Sequence, residues 1–221
     1  MFRNRVDAGR QLGAKLLDAG AFQVENAVVL GLPRGGVPVA FEVAKAIAAP
    51  LDVIVVRKLG LPWQPELAMG AIGEDGVRVL NPEVMSSSRV SESSLAAAEA
   101  RERAELEAQV AKYRRGRPRL TLCGRTAVIV DDGIATGSTA RAACQVAGML
   151  GAASVALAVP VAPPDTLAQL AKVADHVIAL ESPHLFIAVG EWYLDFSQTT
   201  DDEVVALLER AASRPTGGPR K

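Results

Sequence analysis

The sequence predicts an α/β fold in which a parallel sheet carries helices on both faces. Short apolar segments at residues 27–30, 128–130 and 154–159 are each followed by apolar residues at helical spacing. Continuous apolar strands that alternate with helices are typical of parallel sheets buried on both sides. The chain has 221 residues, of which 49% are hydrophobic and 22% charged, and this supports a globular domain with an ample core.

The N-terminal segment predicts a helix, a strand and a second helix. Residues 4–19 have the apolar spacing of a short amphipathic helix, with Asn4 as a candidate cap. Residues 27–30 form a buried strand that runs into Gly35 and Gly36, and helical spacing follows directly. Backbone N–H groups at the start of this second helix would form an anion pocket.

The next segment combines a strand, two cations and a hairpin. Residues 52–56 form a buried strand, which we expect to deliver Arg57 and Lys58 to its C-terminal end. Ligands gather at that edge of parallel sheets. Residues 60–65 contain two prolines and predict irregular structure. Residues 67–80 predict a β-hairpin around a polar, glycine-rich turn.

The remaining elements continue the alternation. Residues 91–113 predict a helix with few apolar positions, which is either largely solvated or packed on a partner subunit, so a homodimer stays open. Residues 154–159 predict a strand, residues 163–173 a helix and residues 175–180 a final strand. The Pro/Gly-rich tail at residues 213–221 predicts disorder.

The charge and cysteine content argue against several classes of partner. Net charge is −1, with Lys+Arg 24 against Asp+Glu 25, so no overall basic character attracts nucleic acid or an anionic membrane. A local basic cluster lies at Lys112–Arg119. Cys123 and Cys144 lack metal-ligand and redox-motif spacing. With neither a signal peptide nor a long apolar span, we expect a reduced, cytoplasmic protein with no membrane partner.

Residues 128–139 carry the functional hypothesis. Three β-branched residues run into Asp131 and Asp132, the acid pair, and a turn rich in glycine and hydroxyl groups then leads into a helix. The candidate phosphate-binding residues of this turn are Gly133, Ala135, Thr136, Gly137, Ser138 and Thr139. A helix N-terminus favours phosphate, whereas carboxylates suit sugar hydroxyls, directly or through Mg²⁺. The segment therefore predicts a site for a ribose 5′-phosphate; the alternative is a tight turn with solvated acids.

This segment closely resembles the phosphoribosyl pyrophosphate (PRPP) binding motif of type I phosphoribosyltransferases, and the resemblance covers roughly residues 24–200. It implies the fold of that family, as a single domain over residues 1–221. The core would lie at about 21–180, and a small C-terminal hood at about 181–200 would include the N-terminal segment. The family's mobile catalytic loop would fall within residues 59–83.

The resemblance also implies a reaction, in which pyrophosphate is displaced from PRPP by a ring nitrogen of a purine or pyrimidine base, as in nucleotide salvage. The acid pair would hold the ribose hydroxyls, and Mg²⁺ would be the cofactor. The residues implied to bind pyrophosphate are Arg34, Gly35, Gly36, Arg57 and Lys58. Arg57 and Lys58 would join the acid pair as catalytic residues.

The hood loosely resembles that of hypoxanthine-guanine-type enzymes. On that pattern Phe186 stacks on the base, with Ile187 and His184 beside it, and Asp195 binds the metal together with the acid pair. Core filling is the alternative role for Phe186. Those enzymes carry an aspartate where this chain has Ala135. They also carry a lysine after the next strand, where this chain offers only apolar residues, so recognition of a purine 6-oxo group is not implied and the acceptor stays open.

A regulator is the rival hypothesis. Such a protein would keep this fold, sense PRPP or a nucleotide, and bind RNA through a basic surface. Only the Lys112–Arg119 cluster supports it, and we expect no nucleic-acid partner.

Overall fold

The computed structural model describes residues 1–20, 26–88 and 90–214, with backbone alone at residues 65 and 66. The strands are β1 (Ala27–Gly31), β2 (Leu51–Val53), β3 (Arg57–Leu61), β4 (Gln64–Ile72), β5 (Arg78–Leu80), β6 (Thr126–Val130), β7 (Ser154–Val161) and β8 (His176–Glu181). The helices are α1 (Arg5–Ala19), α2 (Gly36–Ala46), α3 (Pro82–Ser88), α4 (Glu92–Arg114), α5 (Ser138–Met149), α6 (Pro164–Leu170) and α7 (Asp201–Ala212).

A five-stranded parallel sheet with the order β2-β1-β6-β7-β8 forms the centre of the molecule. β1 and β6 are neighbours although about a hundred residues separate them, and Gly31 pairs with Val130 at their C-terminal ends. The parallel α/β architecture predicted from the sequence is confirmed. Because these two strands end side by side, the loops that follow them meet at one edge of the sheet.

Helices cover both faces of this sheet. Alternate strand residues point to opposite sides, so Val29 and Val128 lie in one buried cluster with α1, α2 and α7, whereas Val28 and Ile129 lie in another with α5 and α6. This two-sided burial explains why the strands read as uninterrupted apolar runs.

The second strand is shorter than predicted. The expected strand at residues 52–56 ends at Val53, because β1, its partner in the parallel sheet, ends at Gly31 opposite it. Arg57 and Lys58 therefore do not follow a parallel strand directly. They begin β3, the first strand of a separate antiparallel sheet with the order β3-β4-β5.

This antiparallel sheet also corrects the prediction of irregular structure at residues 60–65. β3 continues to Leu61, which pairs with Gln64 across a two-residue turn. Pro62 lies in this turn, with which proline is compatible, and Pro65 lies next to the turn at the start of β4. The hairpin predicted over residues 67–80 is confirmed by the antiparallel pairing of β4 with β5.

The long helix α4 matches the predicted helix at residues 91–113 and begins after Ser91, whose side chain accepts a hydrogen bond from the Ser94 N–H. Its sparse apolar residues Leu95 and Leu106 are buried within this chain, against the antiparallel sheet and α7. The helix α7 was not predicted from the sequence. The chain itself therefore covers the apolar side of α4, and a homodimer stays a prediction.

Arg114, at the end of α4, ties the two sheets together. Its guanidinium donates to Asp52 Oδ1 of β2 at 3.0 Å and to Glu74 Oε1, in the turn after β4, at 3.0 Å. All three side chains are buried. A buried cation between two buried carboxylates fixes the antiparallel sheet against the parallel one.

Among the helices within residues 1–20, 26–88 and 90–214, none has both the length and the apolar character that crossing a membrane requires. Residues 21–25 of the predicted core and residues 215–221 of the predicted disordered tail lie outside the described residues.

We expect Arg114→Met to lower the free energy of unfolding by about 3–5 kcal/mol, because it leaves two buried carboxylates without a counter-charge. Urea denaturation near neutral pH measures the change. Arg115→Met is the matched control, since Arg115 pairs with Glu209 at the surface and its loss should cost less than about 1 kcal/mol. Equal effects of the two substitutions would contradict the anchoring role of Arg114.

Candidate functional site

The acid pair lies directly after β6, at the carboxyl edge of the parallel sheet. The Asp132 N–H donates to Asp131 Oδ1 at 2.9 Å, which places the two carboxyl groups side by side. Burial raises the pKa of Asp131 well above its ordinary value, and the neighbouring charge of Asp132 raises it further. Burial also raises the pKa of Asp132, although Arg5 opposes this effect. Without a ligand, the pair is an unfavourable concentration of negative charge.

Two groups from distant parts of the chain hold Asp132. Arg5, in the first turn of α1, donates from Nε to Asp132 Oδ2 at 2.8 Å, and from Nη1 to the Ser197 carbonyl at 2.6 Å. Tyr193 donates its hydroxyl to the Asp132 carbonyl at 2.5 Å. Both the carboxylate and the backbone of Asp132 are therefore fixed, whereas Asp131 is held through one carboxylate oxygen.

Aromatic rings support these contacts. The rings of Tyr193 and Phe196 stack with centroids 5.0 Å apart, and the Arg5 guanidinium lies 4.0 Å from the Phe196 ring centroid. Phe2 packs against Tyr193, and its N–H donates to the Trp192 carbonyl at 2.8 Å. The N-terminus and the segment after β8 thus form one layer beside the acid pair.

The phosphate loop, residues 133–139, joins β6 to α5. The Ile134 N–H donates to the Val161 carbonyl at 2.9 Å, and Thr166 Oγ1 donates to the Ala135 carbonyl at 2.8 Å, so neighbouring elements hold the loop. Gly137 adopts φ 76°, a left-handed conformation that glycine accepts without strain. No side chain caps α5, and Thr136, Ser138 and Thr139 line the open side of the loop, with Thr136 and Thr139 exposed. The first N–H groups of α5 can therefore serve an anion.

The Gly-Gly loop, residues 31–36, lies against the acid pair. A Cβ atom at Gly35 would overlap Asp132 Oδ2, and one at Gly36 would lie 2.6 Å from the Val130 carbonyl oxygen. Only glycine fits at these two positions because the two loops approach so closely. The structure thus brings together the two segments that the sequence analysis singled out separately.

Arg34 lies at the tip of the Gly-Gly loop with an exposed side chain. In the described part of the chain it pairs with no carboxylate. It lines a cavity of about 360 Å³ together with Arg5, Gly35 and Asp132. This cavity brings two cations beside Asp132, an arrangement suited to a ligand with both anionic and hydroxyl groups.

The other predicted cations lie elsewhere. Arg57 donates from Nε to Glu102 Oε2 of α4 at 3.0 Å, so a carboxylate already compensates its charge. Lys58 lines a different cavity, next to Thr136 and Ser138 of the phosphate loop. Neither cation lines the cavity around Arg34. Their predicted contact with pyrophosphate stays a prediction.

The predicted base and metal residues occupy the segment after β8. His184 and Ile187 are exposed and Phe186 is half-buried. Asp195 is exposed, and its carboxylate accepts a hydrogen bond from the Ser197 N–H at 3.0 Å, which lowers its pKa. Across residues 1–20, 26–88 and 90–214, no three His, Cys, Asp or Glu side chains group as a metal site. The structure therefore does not gather Asp195 with the acid pair.

Sequence reasoning missed the residues that orient Asp132. Arg5 lies within an ordinary amphipathic helix, and nothing in its local pattern distinguishes it from a solvated arginine. Tyr193 and Phe196 could have been found from the concentration of aromatic residues after β8. Arg5 and Tyr193 join the site through hydrogen bonds to Asp132, which is far from both of them in the sequence. Local sequence patterns do not show such contacts.

Three comparisons place this geometry among known proteins. A family model described as the phosphoribosyl transferase domain matches residues 2–196. Mycobacterium tuberculosis proteins named "Putative phosphoribosyl transferase" are 58% identical over 211 residues, which cover 96% of this chain and 47% of those proteins. The chain thus spans about half the length of the curated relatives it matches. The crystal structure of TT1426 from Thermus thermophilus is 44% identical, with a TM-score of 0.86, and the match covers 95% of this chain and 98% of that chain.

Because the pKa of Asp131 is raised, ionisation of this residue should lower the free energy of unfolding by an amount that depends on pH. The folded protein binds a proton at Asp131 more tightly than the unfolded chain does, so the contribution of this group to stability falls as pH rises from the ordinary pKa of 3.8 to the raised folded value. Asp131→Asn removes this cost. We expect the variant to be more stable than wild type near neutral pH, with the difference shrinking toward about pH 4.

Urea denaturation from about pH 4 to about pH 8, without Mg²⁺ or phosphates, measures this difference. Asp18→Asn, at an exposed position of α1, serves as the control and should change stability little. A variant that is less stable than wild type throughout this range would contradict the prediction.

Proposed function

The chain belongs to the phosphoribosyl transferase domain family, and from that premise we propose that it transfers the 5-phosphoribosyl group between PRPP and a nitrogenous base, with Mg²⁺ as cofactor and release of pyrophosphate. We place this activity in cytoplasmic nucleotide salvage. We also propose that residues 1–221 act as one domain, in which residues 181–200 and the N-terminal segment form the hood.

One observation carries the proposal: the Gly-Gly loop lies within van der Waals contact of the acid pair. A Cβ atom at Gly36 would lie 3.1 Å from Asp131 Oδ1, and the phosphate loop continues directly from Asp132. Two anion-binding helix N-termini thus flank two carboxylates. A ribose with phosphate groups at both ends has this distribution of charge and hydroxyl groups.

Each part of the site has a role in the proposed reaction. As the bond from C1 to pyrophosphate breaks, positive charge develops on the ribose ring and negative charge on the leaving group. The acid pair would bind the ribose hydroxyls and favour the cationic ring, while Arg34 would stabilise the departing pyrophosphate. The N–H groups at the start of α5 would hold the 5′-phosphate and orient the sugar.

The carboxylate oxygens of the acid pair are suitable ligands for Mg²⁺. This ion is commonly held by one or two carboxylates together with substrate phosphates and water, so a cage of three protein ligands is not required. The acid pair would hold it, because two neighbouring half-buried carboxylates with raised pKa favour a cation. When bound, Mg²⁺ supplies positive charge that neutralises the pyrophosphate. A role for Asp195 stays a proposal, by family resemblance alone.

The hairpin between β3 and β4 is our candidate for the covering loop that such a reaction needs. Its turn exposes Trp63, whose side chain is 62% accessible. Closure of this turn over the sugar would exclude water, which otherwise hydrolyses an activated sugar. Phe186 is the proposed stacking partner of the base, because it is a half-buried aromatic residue of the hood.

The basic cluster at Lys112–Arg119 gives no support to the RNA-binding alternative. Four of its five cations contact a carboxylate, namely Lys112 with Asp201, Arg114 with Asp52 and Glu74, Arg115 with Glu209 and Arg119 with Asp75. The fifth, Arg117, donates to backbone carbonyls of α4. The phosphates of RNA would have to compete with these carboxylates and carbonyls for the Lys and Arg side chains.

Asp131→Asn combined with Asp132→Asn tests the proposed ribose contact. The double variant should fold and lose the PRPP-dependent thermal stabilisation of the wild type. A ligand at about 100 times its dissociation constant stabilises a protein by about 2.7 kcal/mol, which is visible as a melting shift. The shift is measured with Mg²⁺ at increasing PRPP, and Asp18→Asn is the control. An undiminished shift in the double variant would rule out this role for the acid pair.

Arg34→Gln tests the proposed pyrophosphate contact. Loss of a hydrogen bond to a charged group costs about 1.5–3 kcal/mol, so pyrophosphate and PRPP should bind about tenfold more weakly or worse. A nucleoside monophosphate, which has no pyrophosphate, should keep its affinity. Isothermal titration calorimetry measures all three ligands, with Arg10→Gln, an exposed arginine of α1, as control. If all three ligands weakened equally, Arg34 would not be selective for pyrophosphate.

A further inference from the structure

A second cavity lies outside the proposed ribose site. It has a volume of about 620 Å³ and lies between the antiparallel sheet and α5. Small-molecule sites commonly have volumes of this size. Thr136 and Ser138 of the phosphate loop line its mouth, whereas neither member of the acid pair lines it. The phosphate loop thus lines this cavity, which is bounded by β4 and β5, whereas Asp132 lines the separate cavity around Arg34.

Two cations and one exposed carboxylate, that of Glu83, line this cavity. Lys58 of β3 and Arg141 of α5 line it, both are half-buried, and within the described chain neither pairs with a carboxylate. This contrasts with Arg57, the residue beside Lys58, which pairs with Glu102. Two uncompensated cations beside hydroxyl groups are suited to a phosphate.

Part of the cavity lining is apolar. Ala68 and Ala71 of β4 line it together with Ala142 of α5, and we refer to the space beside these small side chains as the slot. Farther along, the Gln145 amide lines the cavity without a hydrogen-bond partner in the described chain, and it can both donate and accept. The cavity therefore offers an anion site, a slot for an apolar ring and a neutral group that can contact the edge of a base.

We propose that this cavity binds a nucleoside 5′-monophosphate in a second mode. Its phosphate lies at Thr136, Ser138, Lys58 and Arg141, and its base enters the slot toward Gln145. This inference rests on the proposed function, because it assumes that the phosphate loop binds a phosphate group. Bound this way, the ribose lies away from the acid pair, so no transfer occurs and the nucleotide competes with PRPP for the loop. The site is thus an inhibitory nucleotide site.

The acid-pair double variant distinguishes the two modes. Isothermal titration calorimetry is run on the full chain with AMP, GMP, CMP, UMP and ribose 5-phosphate. We expect at least one nucleotide to bind wild type at least tenfold more tightly than ribose 5-phosphate, and to keep its affinity in the variant, while PRPP binding is lost. A nucleotide whose binding disappears with the acid pair occupies the transfer site, and that result would overturn the second mode.

Substitutions inside the slot supply the complementary test. Gln145→Leu and Ala68→Phe should each weaken the nucleotide about tenfold and leave PRPP-dependent stabilisation unchanged, because PRPP does not enter the slot. Gln169→Leu, at an exposed position of α6, is the matched control, and thermal melting without ligand checks that each variant folds. Unchanged nucleotide affinity in both slot variants overturns the proposal.

The results also separate this inference from the proposed function. If PRPP stabilises wild type but no nucleotide binds, the second site is wrong and the transferase proposal stands. If nucleotides bind in a manner sensitive to Gln145 while PRPP gives no stabilisation, the slot is supported and the transferase proposal falls.

Discussion

The contact between the Gly-Gly loop and the acid pair is the constraint on which the site depends. β1 and β6 are hydrogen-bonded neighbours, and Gly31 pairs with Val130, so both loops leave the sheet at the same level. A side chain at Gly35 or Gly36 would overlap Asp132 or the Val130 carbonyl. The sheet therefore determines which loops meet, and the glycines determine how closely they approach.

This closeness has an electrostatic cost that the surrounding structure offsets in part. Burial raises the pKa of both carboxyl groups, and the charge of Asp132 raises that of Asp131 further, so ionisation is disfavoured. Arg5 donates a hydrogen bond to Asp132 and opposes the raised pKa of Asp131 only through its charge, while Tyr193 donates to the backbone carbonyl of Asp132. Asp131 thus carries the larger uncompensated cost. A site that retains such a cost without a ligand is ready to bind a cation or hydroxyl groups.

The buried parallel strands and the loops that follow them could be predicted because their signals are local. Apolar runs, a glycine pair and an acid pair each lie within a few consecutive residues. The antiparallel sheet was predicted only in part, because the end of β2 depends on where β1 ends, which the sequence of β2 does not contain. The contacts of Arg5 with Asp132, and of Arg57 with Glu102, join residues far apart in the chain. Local composition carries no information on such pairs.

The sugar phosphate and the base would be recognised by different kinds of group. Charged groups concentrate around the acid pair and Arg34. Near the proposed base position, Phe186 and Ile187 are apolar, and Ala135 adds no ionisable group. Stacking on an aromatic ring distinguishes poorly between bases, because every base has a flat face. Selection of an acceptor would therefore come from polar groups of the hood, namely His184 and the backbone groups of residues 181–187.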